Sequence, residues 1–356
     1  MIQSILSHKM PPWLAGGGPE GDVVLSTRVR LARNLAHHRF PRRASAFERT
    51  QVYEEIAAAF GAAAGGGSYS AVAFATLDKR QRRFLAEEGR ASAELASAGG
   101  GCGIVHDAAG RVSVLVNEDD HLRFTALDAG LRRRELFAEL VALDDAVGAH
   151  LDYAFDKRIG FLTSCPSDAG TGLAVSFLVH LPSLALTRSL DRVLNGIRGK
   201  GVDVRGFVGG SGAGDLFLMS AGRAAGAAGL LDNAAAVVRQ AAWLERKSRE
   251  RVLADGRDEL ADRIHRSWDI LFRAKRLSVG RFLTLSSALR LGVECNMFDK
   301  CTLDDVNRLM LFVLPAHLET WCEKTLSPGE SQEARASLVQ TYFARNAQKE
   351  PSHENG

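Results

Sequence analysis

Apolar and polar residues alternate with a period of two along residues 22–34. Such alternation predicts a β-strand whose two sides differ in polarity. Arg28 and Arg30 share one side, where two guanidinium groups pointing the same way suit the binding of phosphate oxygens. A solvated basic edge strand is the alternative that these residues alone leave open. The arginine side also carries Val24 and Ser26, and the apolar side carries Val23, Leu25, Val29 and Leu31, interrupted by Thr27.

Apolar residues at helical spacing predict helices over 45–64, 78–98, 131–149 and 188–198. Apolar strands are predicted over 112–116 and on both sides of a glycine-rich loop within 202–219. From about residue 232 onward the spacing is helical without strand alternation. The pattern therefore predicts a region of mixed strands and helices that is followed by a helical region.

A run of acidic residues follows the apolar strand at 112–116. Glu118, Asp119 and Asp120 stand directly after Asn117, and His121 and Arg123 come next. Carboxylates packed at the end of a strand bind Mg²⁺, accept a proton or hold a cationic substrate. An acidic turn in water is the alternative.

Residues 160–173, Gly-Phe-Leu-Thr-Ser-Cys-Pro-Ser-Asp-Ala-Gly-Thr-Gly-Leu, combine a strand end, a cysteine and a small-residue turn. The residues after this turn are expected to form a helix. Gly170 and Gly172 permit a close approach of backbone to a ligand. Cys165 is either a reactive thiol, held as thiolate by a helix N-terminus, or a buried small hydrophobe beside a structural turn.

Composition argues against several classes of function. The net charge of +3 and pI near 8.6 are too mild to indicate nucleic-acid binding, and the arginine pairs lack interleaved aromatic residues. Five scattered cysteines without a CxxC pair indicate neither a disulfide framework nor a zinc site. The chain shows no signal-peptide pattern and no stretch near the roughly 20 apolar residues of a membrane helix. We therefore expect a cytoplasmic protein without membrane contact.

Three segments together resemble the ATP:guanidino phosphotransferases, the family of creatine and arginine kinases. They are Leu-Ser-Thr-Arg-Val-Arg-Leu-Ala-Arg at 25–33, Val-Asn-Glu-Asp-Asp-His-Leu-Arg at 116–123, and Thr-Ser-Cys-Pro-Ser-Asp-Ala-Gly-Thr-Gly-Leu at 163–173. The layout, with a helical region after the motifs, and the residues Asp-Tyr-Ala-Phe at 152–155 look like the bacterial protein-arginine kinases of the McsB type.

The resemblance implies an α+β fold, an antiparallel sheet flanked by helices, followed by a helical C-terminal domain. It implies an N-terminal segment over 1–21, a catalytic domain over 22–245, helices over 246–348 and a disordered tail over 349–356. It implies transfer of the γ-phosphoryl group of ATP, with Mg²⁺ carried by the nucleotide, to arginine residues of proteins. The implied catalytic residues are Glu118, Asp119 and Cys165, and the implied ATP-binding residues are Ser26, Arg28, Arg30, His121, Arg123 and Arg205. Partners implied by the resemblance are an activator protein, the stress-response protease machinery and a second copy bound through the C-terminal helices.

Four departures from the family pattern keep two alternatives open, a degenerate kinase that serves as a binding or regulatory module and a kinase of a small guanidino compound. Ala174 stands where the family has a phosphate-binding arginine, Asp168 where it has asparagine, and Gly210 where arginine-directed kinases place a glutamate. Of the C-terminal Arg-Asp-x-x-Arg-Ala motif, only Arg335 and Ala336 are present.

Overall fold

The computed structural model describes residues 10–63, 69–92, 100–208, 210, 212–222 and 226–346. The strands are β1 (Val24–Arg33), β2 (Tyr69–Ala73), β3 (Gly103–Asp107), β4 (Val112–Val116), β5 (Leu122–Ala129), β6 (Phe155–Asp156), β7 (Gly160–Phe161), β8 (Leu173–His180), β9 (Asp203–Gly206) and β10 (Leu216–Gly222). The helices are α1 (Ala46–Ala63), α2 (Lys79–Glu87), α3 (Arg133–Gly148), α4 (Pro182–Leu186), α5 (Leu190–Arg198), α6 (Ala227–Asp255), α7 (Arg257–Arg273), α8 (Val279–Glu294), α9 (Leu303–Phe312), α10 (Pro315–Cys322) and α11 (Pro328–Asn346).

Eight strands form one antiparallel sheet in the order β2-β3-β4-β5-β1-β8-β10-β9, and β6 and β7 form a small hairpin. Strand β1 lies in the middle of the sheet, paired with β5 on one side and with β8 on the other. The alternative of a basic edge strand is therefore wrong. The predicted α+β architecture, an antiparallel sheet with flanking helices and a helical C-terminal region, is confirmed.

One face of the sheet is covered by helices α1, α3, α5 and α6. Val29 and Leu31 of β1 project into this core, where Val52 and Ile56 of α1 and Leu140 of α3 are also fully buried. Helix α1 starts beyond a Ser45 side chain that accepts a hydrogen bond from the Glu48 N–H. Burial of these aliphatic side chains holds β1 flat against the helices, and its alternate residues point to the other face.

A β-bulge near the start of β1 changes the predicted sides of two residues. The pairing with β8 shifts between Val24 and Ser26. Val24 therefore packs into the core under the helices and Leu25 into the core on the opposite face, which reverses the assignment predicted from strict alternation. The interruption at Thr27 also has a cause, since its buried hydroxyl donates to the Gly130 carbonyl and accepts from the Arg132 N–H.

The C-terminal helices pack on the arginine-bearing face of the sheet, beyond the bulge. Leu25, Leu127 and Leu178 share a core with Ile264 of α7 and Leu289 of α8. Trp13 and Leu14 of the N-terminal segment are buried in the same core. Helix α6 runs through the predicted division at 245/246, and the break between helices falls instead at Gly256. The predicted tail at 349–356 lies outside the described residues.

Two further predictions differ from the structure. The residues after Gly172 form strand β8 rather than a helix, because they pair with both β1 and β10. Helix α2 ends at Glu87, well before residue 98, and Gly89 follows with a φ of +78° that stops the helix. None of the helices in the described ranges is long and apolar enough to cross a membrane.

Candidate active site

Four guanidinium groups gather on the open part of the sheet face opposite α1 and α3. Arg28 and Arg30 come from β1, Arg123 from β5 and Arg205 from the edge strand β9. Arg28 lies opposite Ser176 of β8 and donates from Nε to the Ser176 hydroxyl at 3.2 Å. Arg205 lies opposite Leu218, which in turn lies opposite Leu178, so the register places it on the same face.

The arginines are close enough to perturb one another. Burial, followed by the positive charges of Arg30, Arg205 and Arg123, lowers the pKa of Arg28 to about 9. Burial and the charge of Arg123 also lower the pKa of Arg30. Within the part of the chain that the structure describes, no carboxylate lies at ion-pair distance from Arg28, Arg30 or Arg205. A cluster of partly buried, mutually repelling cations favours binding of a polyanion.

The acidic turn between β4 and β5 faces this cluster. Glu118 forms an ion pair with Arg123. The Asp119 carboxylate accepts from Arg123 Nη2 at 3.1 Å through one oxygen and from Arg42 Nη2 at 2.8 Å through the other. Burial alone would raise the pKa of Asp119, but the hydrogen bonds from Arg42 and Arg123 outweigh it and the pKa is lowered. Asp119 is therefore ionised at neutral pH and able to hold a cation.

The third acid of the turn has a different task. Asp120 is buried, and its Oδ1 accepts from Asn34 Nδ2 and from the Ser164 N–H, both at 2.6 Å. The Ser164 hydroxyl donates to the Asp119 carbonyl. Asp120 thus joins the end of β1, the acidic turn and the loop that carries Cys165. Sequence analysis grouped it with its neighbours and did not identify this role.

Cys165 is exposed at the end of that loop. It precedes a short 3₁₀ turn, Pro166–Asp168, and the Thr163 hydroxyl donates to the Cys165 carbonyl at 2.7 Å. The alternative of a buried small hydrophobe is therefore wrong. The thiol follows directly after Ser164, whose N–H and hydroxyl are hydrogen-bonded to Asp120 and to the Asp119 carbonyl of the acidic turn.

The glycines of this loop make close contacts with the protein's own backbone. A Cβ on Gly172, which has φ of +66°, would lie 2.5 Å from the Ala32 carbonyl oxygen. The buried Arg33 donates from Nη1 to the Thr171 carbonyl, stacks 3.6 Å above the Phe161 ring and is paired with Asp144. These contacts fix the loop against β1. Sequence analysis did not assign this role to Arg33.

His121 and Ser26 do not line the open arginine face. His121 is fully buried, its Nδ1 accepts from the Leu35 N–H, and its Nε2–H therefore donates to the Arg39 carbonyl. Both ring nitrogens have protein partners, so the imidazole holds residues 35–39 against the turn and is not available to ATP in this arrangement. Ser26 is also buried, next to the bulge where the C-terminal helices cover the sheet.

Comparison with known proteins identifies the family of this site. The family model described as "ATP:guanido phosphotransferase, C-terminal catalytic domain" matches residues 51–247, and the model described as "Protein-arginine kinase McsB C-terminal domain" matches residues 257–354. The chain belongs to the ATP:guanido phosphotransferase family. The gap between the matches contains Gly256, where α6 ends.

The relatives of this chain match it over nearly its whole length. The protein-arginine kinase of Shouchella clausii is 33% identical over 344 residues, which span 95% of this chain and 96% of that protein. The protein-arginine kinase of Moorella thermoacetica is 35% identical over 339 residues, 93% of this chain and 97% of that one. A crystal structure of lombricine kinase shares the fold with a TM-score of 0.57 at 20% identity, over 65% of this chain and 68% of that one.

The residues present suit an ATP:guanido phosphotransferase chemically. Phosphoryl transfer depends mostly on positioning and charge neutralisation, and the four arginines provide cationic hydrogen-bond donors for a triphosphate. Carboxylates beside them can orient a guanidinium and take its proton. Among the described residues no group of three or more acidic, His or Cys side chains is arranged to hold a metal ion.

Two of the departures from the family pattern lie near Arg30. Ala174 is opposite Arg30 across the β1–β8 pair. The negative charge of Asp168 acts on Arg30. Gly210 has φ of +73° and open space around it. Arg335 lies far from this surface in sequence and is buried, donating to the carbonyls of Val313 and Leu277. It therefore stabilises the helical region and does not present its guanidinium to solvent.

Proposed function

We propose that this protein transfers the γ-phosphoryl group of ATP to the guanidinium of arginine residues in proteins. The observation that carries the proposal is an ionised carboxylate, Asp119, which is hydrogen-bonded to Arg123 of a cluster of four arginines. The exposed Cys165 lies on the loop that is hydrogen-bonded to the same turn. The anionic phosphoryl donor can bind the arginines, and the cationic phosphoryl acceptor can bind the carboxylate next to them.

In this proposal Arg28, Arg30, Arg123 and Arg205 bind the triphosphate, and Mg²⁺ arrives with the nucleotide and neutralises phosphate charge. Glu118 keeps Arg123 in place through its ion pair. Asp119 binds the guanidinium of the acceptor arginine and takes its proton. The Cys165 thiolate helps to place the same guanidinium. Asp119 is one methylene shorter than the glutamate that the family usually has there, so the acceptor must approach the turn more closely.

A protein acceptor, rather than a small guanidino compound, is supported by two facts. The relatives that span nearly the whole chain are named protein-arginine kinases, and the helical C-terminal region matches the model of that group. By the same likeness, we propose an activator protein, the stress-response protease machinery and a second copy of the chain as partners in the cytoplasm.

The test is to incubate the protein with Mg-ATP and an arginine-rich protein, and to search for acid-labile phosphoarginine by mass spectrometry. Free arginine and creatine serve as small acceptors in parallel. Phosphoarginine on the protein, with little ATP consumed on the small acceptors, is expected. Product only on the small compounds would assign the alternative substrate class, and ATP binding without any product would assign the regulatory-module alternative.

A further inference from the structure

The carboxylate expected to receive the acceptor already has two guanidinium partners. Asp119 Oδ2 accepts from Arg123 Nη2, and Oδ1 accepts from both Nη2 and Nε of Arg42, at 2.8 and 3.2 Å. A guanidinium that donates two N–H groups to one carboxylate makes the same kind of contact that a substrate arginine would make. An incoming acceptor must therefore displace one of the two partners.

The two arginines differ in how firmly they are held. The Arg123 side chain is 17% exposed, lies on β5 and is also paired with Glu118. The Arg42 side chain is 76% exposed and comes from the segment between β1 and α1. Displacing Arg123 would break a second ion pair in a partly buried place, whereas displacing Arg42 releases a side chain into water. Arg42 is therefore the partner that leaves.

The segment that carries Arg42 is tied to the same turn as Asp119. His121 lies two residues after Asp119 in the turn. Its buried ring links the Leu35 N–H to the Arg39 carbonyl. Beyond it, the Arg43 N–H donates to the Phe40 carbonyl, which closes a tight turn around Arg42. The guanidinium therefore has a short tether and a high local concentration at the carboxylate.

The pKa of Arg42 responds to both groups that are assigned to the acceptor. The hydrogen bonds and charge of Asp119 raise the pKa of Arg42, and the charge of Cys165 acts in the same direction. A guanidinium in contact with the Asp119 carboxylate occupies the region in which the substrate guanidinium is expected.

We infer that Arg42 is a tethered competitor for the acceptor site, an arginine of the protein itself that occupies Asp119 until a substrate arginine replaces it. The inference rests on the function proposed above. It makes Arg42 a determinant of acceptor affinity, because every acceptor arginine must compete with the tethered side chain for Asp119.

The expected size follows from the exposure of the pair. An exposed ion pair favours the closed arrangement by only a few-fold, and the apparent affinity of a competing ligand is reduced by the fraction of molecules that are open. Removing Arg42 is therefore expected to strengthen acceptor binding by about three- to fivefold. The catalytic rate at saturating acceptor should not change, because Arg42 has left the site by then.

The experiment compares wild type, Arg42→Ala, Arg42→Lys and the matched control Arg43→Ala. Arg43 is exposed, next in the chain and of the same charge, so its removal reproduces the general change in electrostatic field. Binding of Nα-acetyl-arginine amide, which carries no charge other than its guanidinium, is measured by calorimetry without ATP. The KM and kcat for a peptide with a single arginine are measured with Mg-ATP.

The inference predicts tighter binding and a lower KM for Arg42→Ala, an intermediate value for Arg42→Lys and wild-type values for Arg43→Ala, all at unchanged kcat. Weaker or unchanged binding in Arg42→Ala, an equal gain in Arg43→Ala, or a loss of kcat would overturn it. A wild type that binds the acetylated arginine but forms no phosphoarginine would refute the proposed function instead, while the binding comparison would still decide the role of Arg42.

Discussion

His121 illustrates how a single buried residue can support a site without touching the substrate. Its two ring nitrogens connect the Leu35 N–H and the Arg39 carbonyl, which requires a neutral ring protonated at Nε2. Burial lowers the pKa of His121 to about 4, from an ordinary value of 6.5. Protonation would place a second hydrogen at Nδ1, opposite the Leu35 N–H, and break that contact.

This environment predicts a pH-dependent stability. Because the folded pKa is depressed, the unfolded chain binds the proton first, and stability is lost as the pH falls from 6.5 through 4. Between pH 8 and pH 5 the loss attributable to His121 should be about 2 kcal/mol. The free energy of unfolding, measured with urea at both pH values, should fall between pH 8 and pH 5 in wild type. In His121→Asn this fall should be smaller by the amount attributed to His121. The exposed control His150→Asn should keep the wild-type drop, and an equal drop in all three proteins would contradict the account.

The acidic turn shows which roles of single residues could be predicted from the sequence and which could not. The run from Glu118 to Asp120 placed a candidate site beyond an apolar strand, and the structure brings two of its carboxylates to Arg123. The run could not assign the three carboxylates, because their directions are set by the geometry of the turn: Glu118 pairs with Arg123, Asp119 meets Arg42, and Asp120 is buried against Asn34 and Ser164. Arg42 gave no signal, since the nearby Arg39 and Arg43 are also basic and exposed.

At the scale of elements, the register between β1 and β8 decides which side chains lie on the arginine face. Ala174 lies opposite Arg30 and is partly exposed, so a longer side chain there would project onto the arginine face. The family's additional arginine would thus join the same cluster. Its loss leaves the four arginines described above, two of them with pKa values lowered by burial and mutual repulsion.

Ala174→Arg should therefore change stability in opposite directions without and with ligand. A fifth guanidinium beside Arg30 adds repulsion, so the melting temperature of the free protein should fall. Charge-assisted contacts to phosphate strengthen binding, and the Kd for Mg-ATP should fall about tenfold. Thermal shift and calorimetry measure both effects, with Ala174→Met as a control for size. A melting temperature that rises without ligand, or an unchanged Kd, would be inconsistent with this register.

The strand β8 also shows where sequence patterns were insufficient. Its residues 173–180 are apolar almost throughout, because one side meets the helices and the other meets the C-terminal core. A strand buried on both faces has no alternation of apolar and polar residues that would distinguish it from a buried helix. Strand β1 was predicted correctly because its two partly buried arginines preserve the period of two.

At the scale of the whole molecule, the C-terminal helices and the catalytic sheet share a core. Leu25, Leu127, Leu178 and Leu216 of the sheet side are buried together with residues of α7, α8 and α9. The N-terminal residues Trp13 and Leu14 belong to the same cluster. The family resemblance implied a separation at 245/246, yet this core indicates that the two regions stabilise each other.

Removal of residues 257–356 should accordingly destabilise the remaining chain severely. Exposing four buried leucines costs roughly 6 kcal/mol or more, which is comparable to the whole stability of a typical domain. The truncated chain should aggregate or unfold at a much lower urea concentration. Removal of residues 347–356 alone should leave the midpoint unchanged. A truncated catalytic region that unfolds cooperatively near the wild-type midpoint would show that the shared core contributes little.

In the function proposed above, Asp119 serves as the acceptor carboxylate of a phosphoryl-transfer site built on the arginine cluster. The most direct measurement is the yield of phosphoarginine on a protein substrate with Mg-ATP, for wild type, Asp119→Asn and the exposed control Asp145→Asn. We predict product from wild type and from Asp145→Asn, and a rate at least about 10²-fold lower from Asp119→Asn with ATP binding retained. Equal rates from wild type and Asp119→Asn would contradict the account.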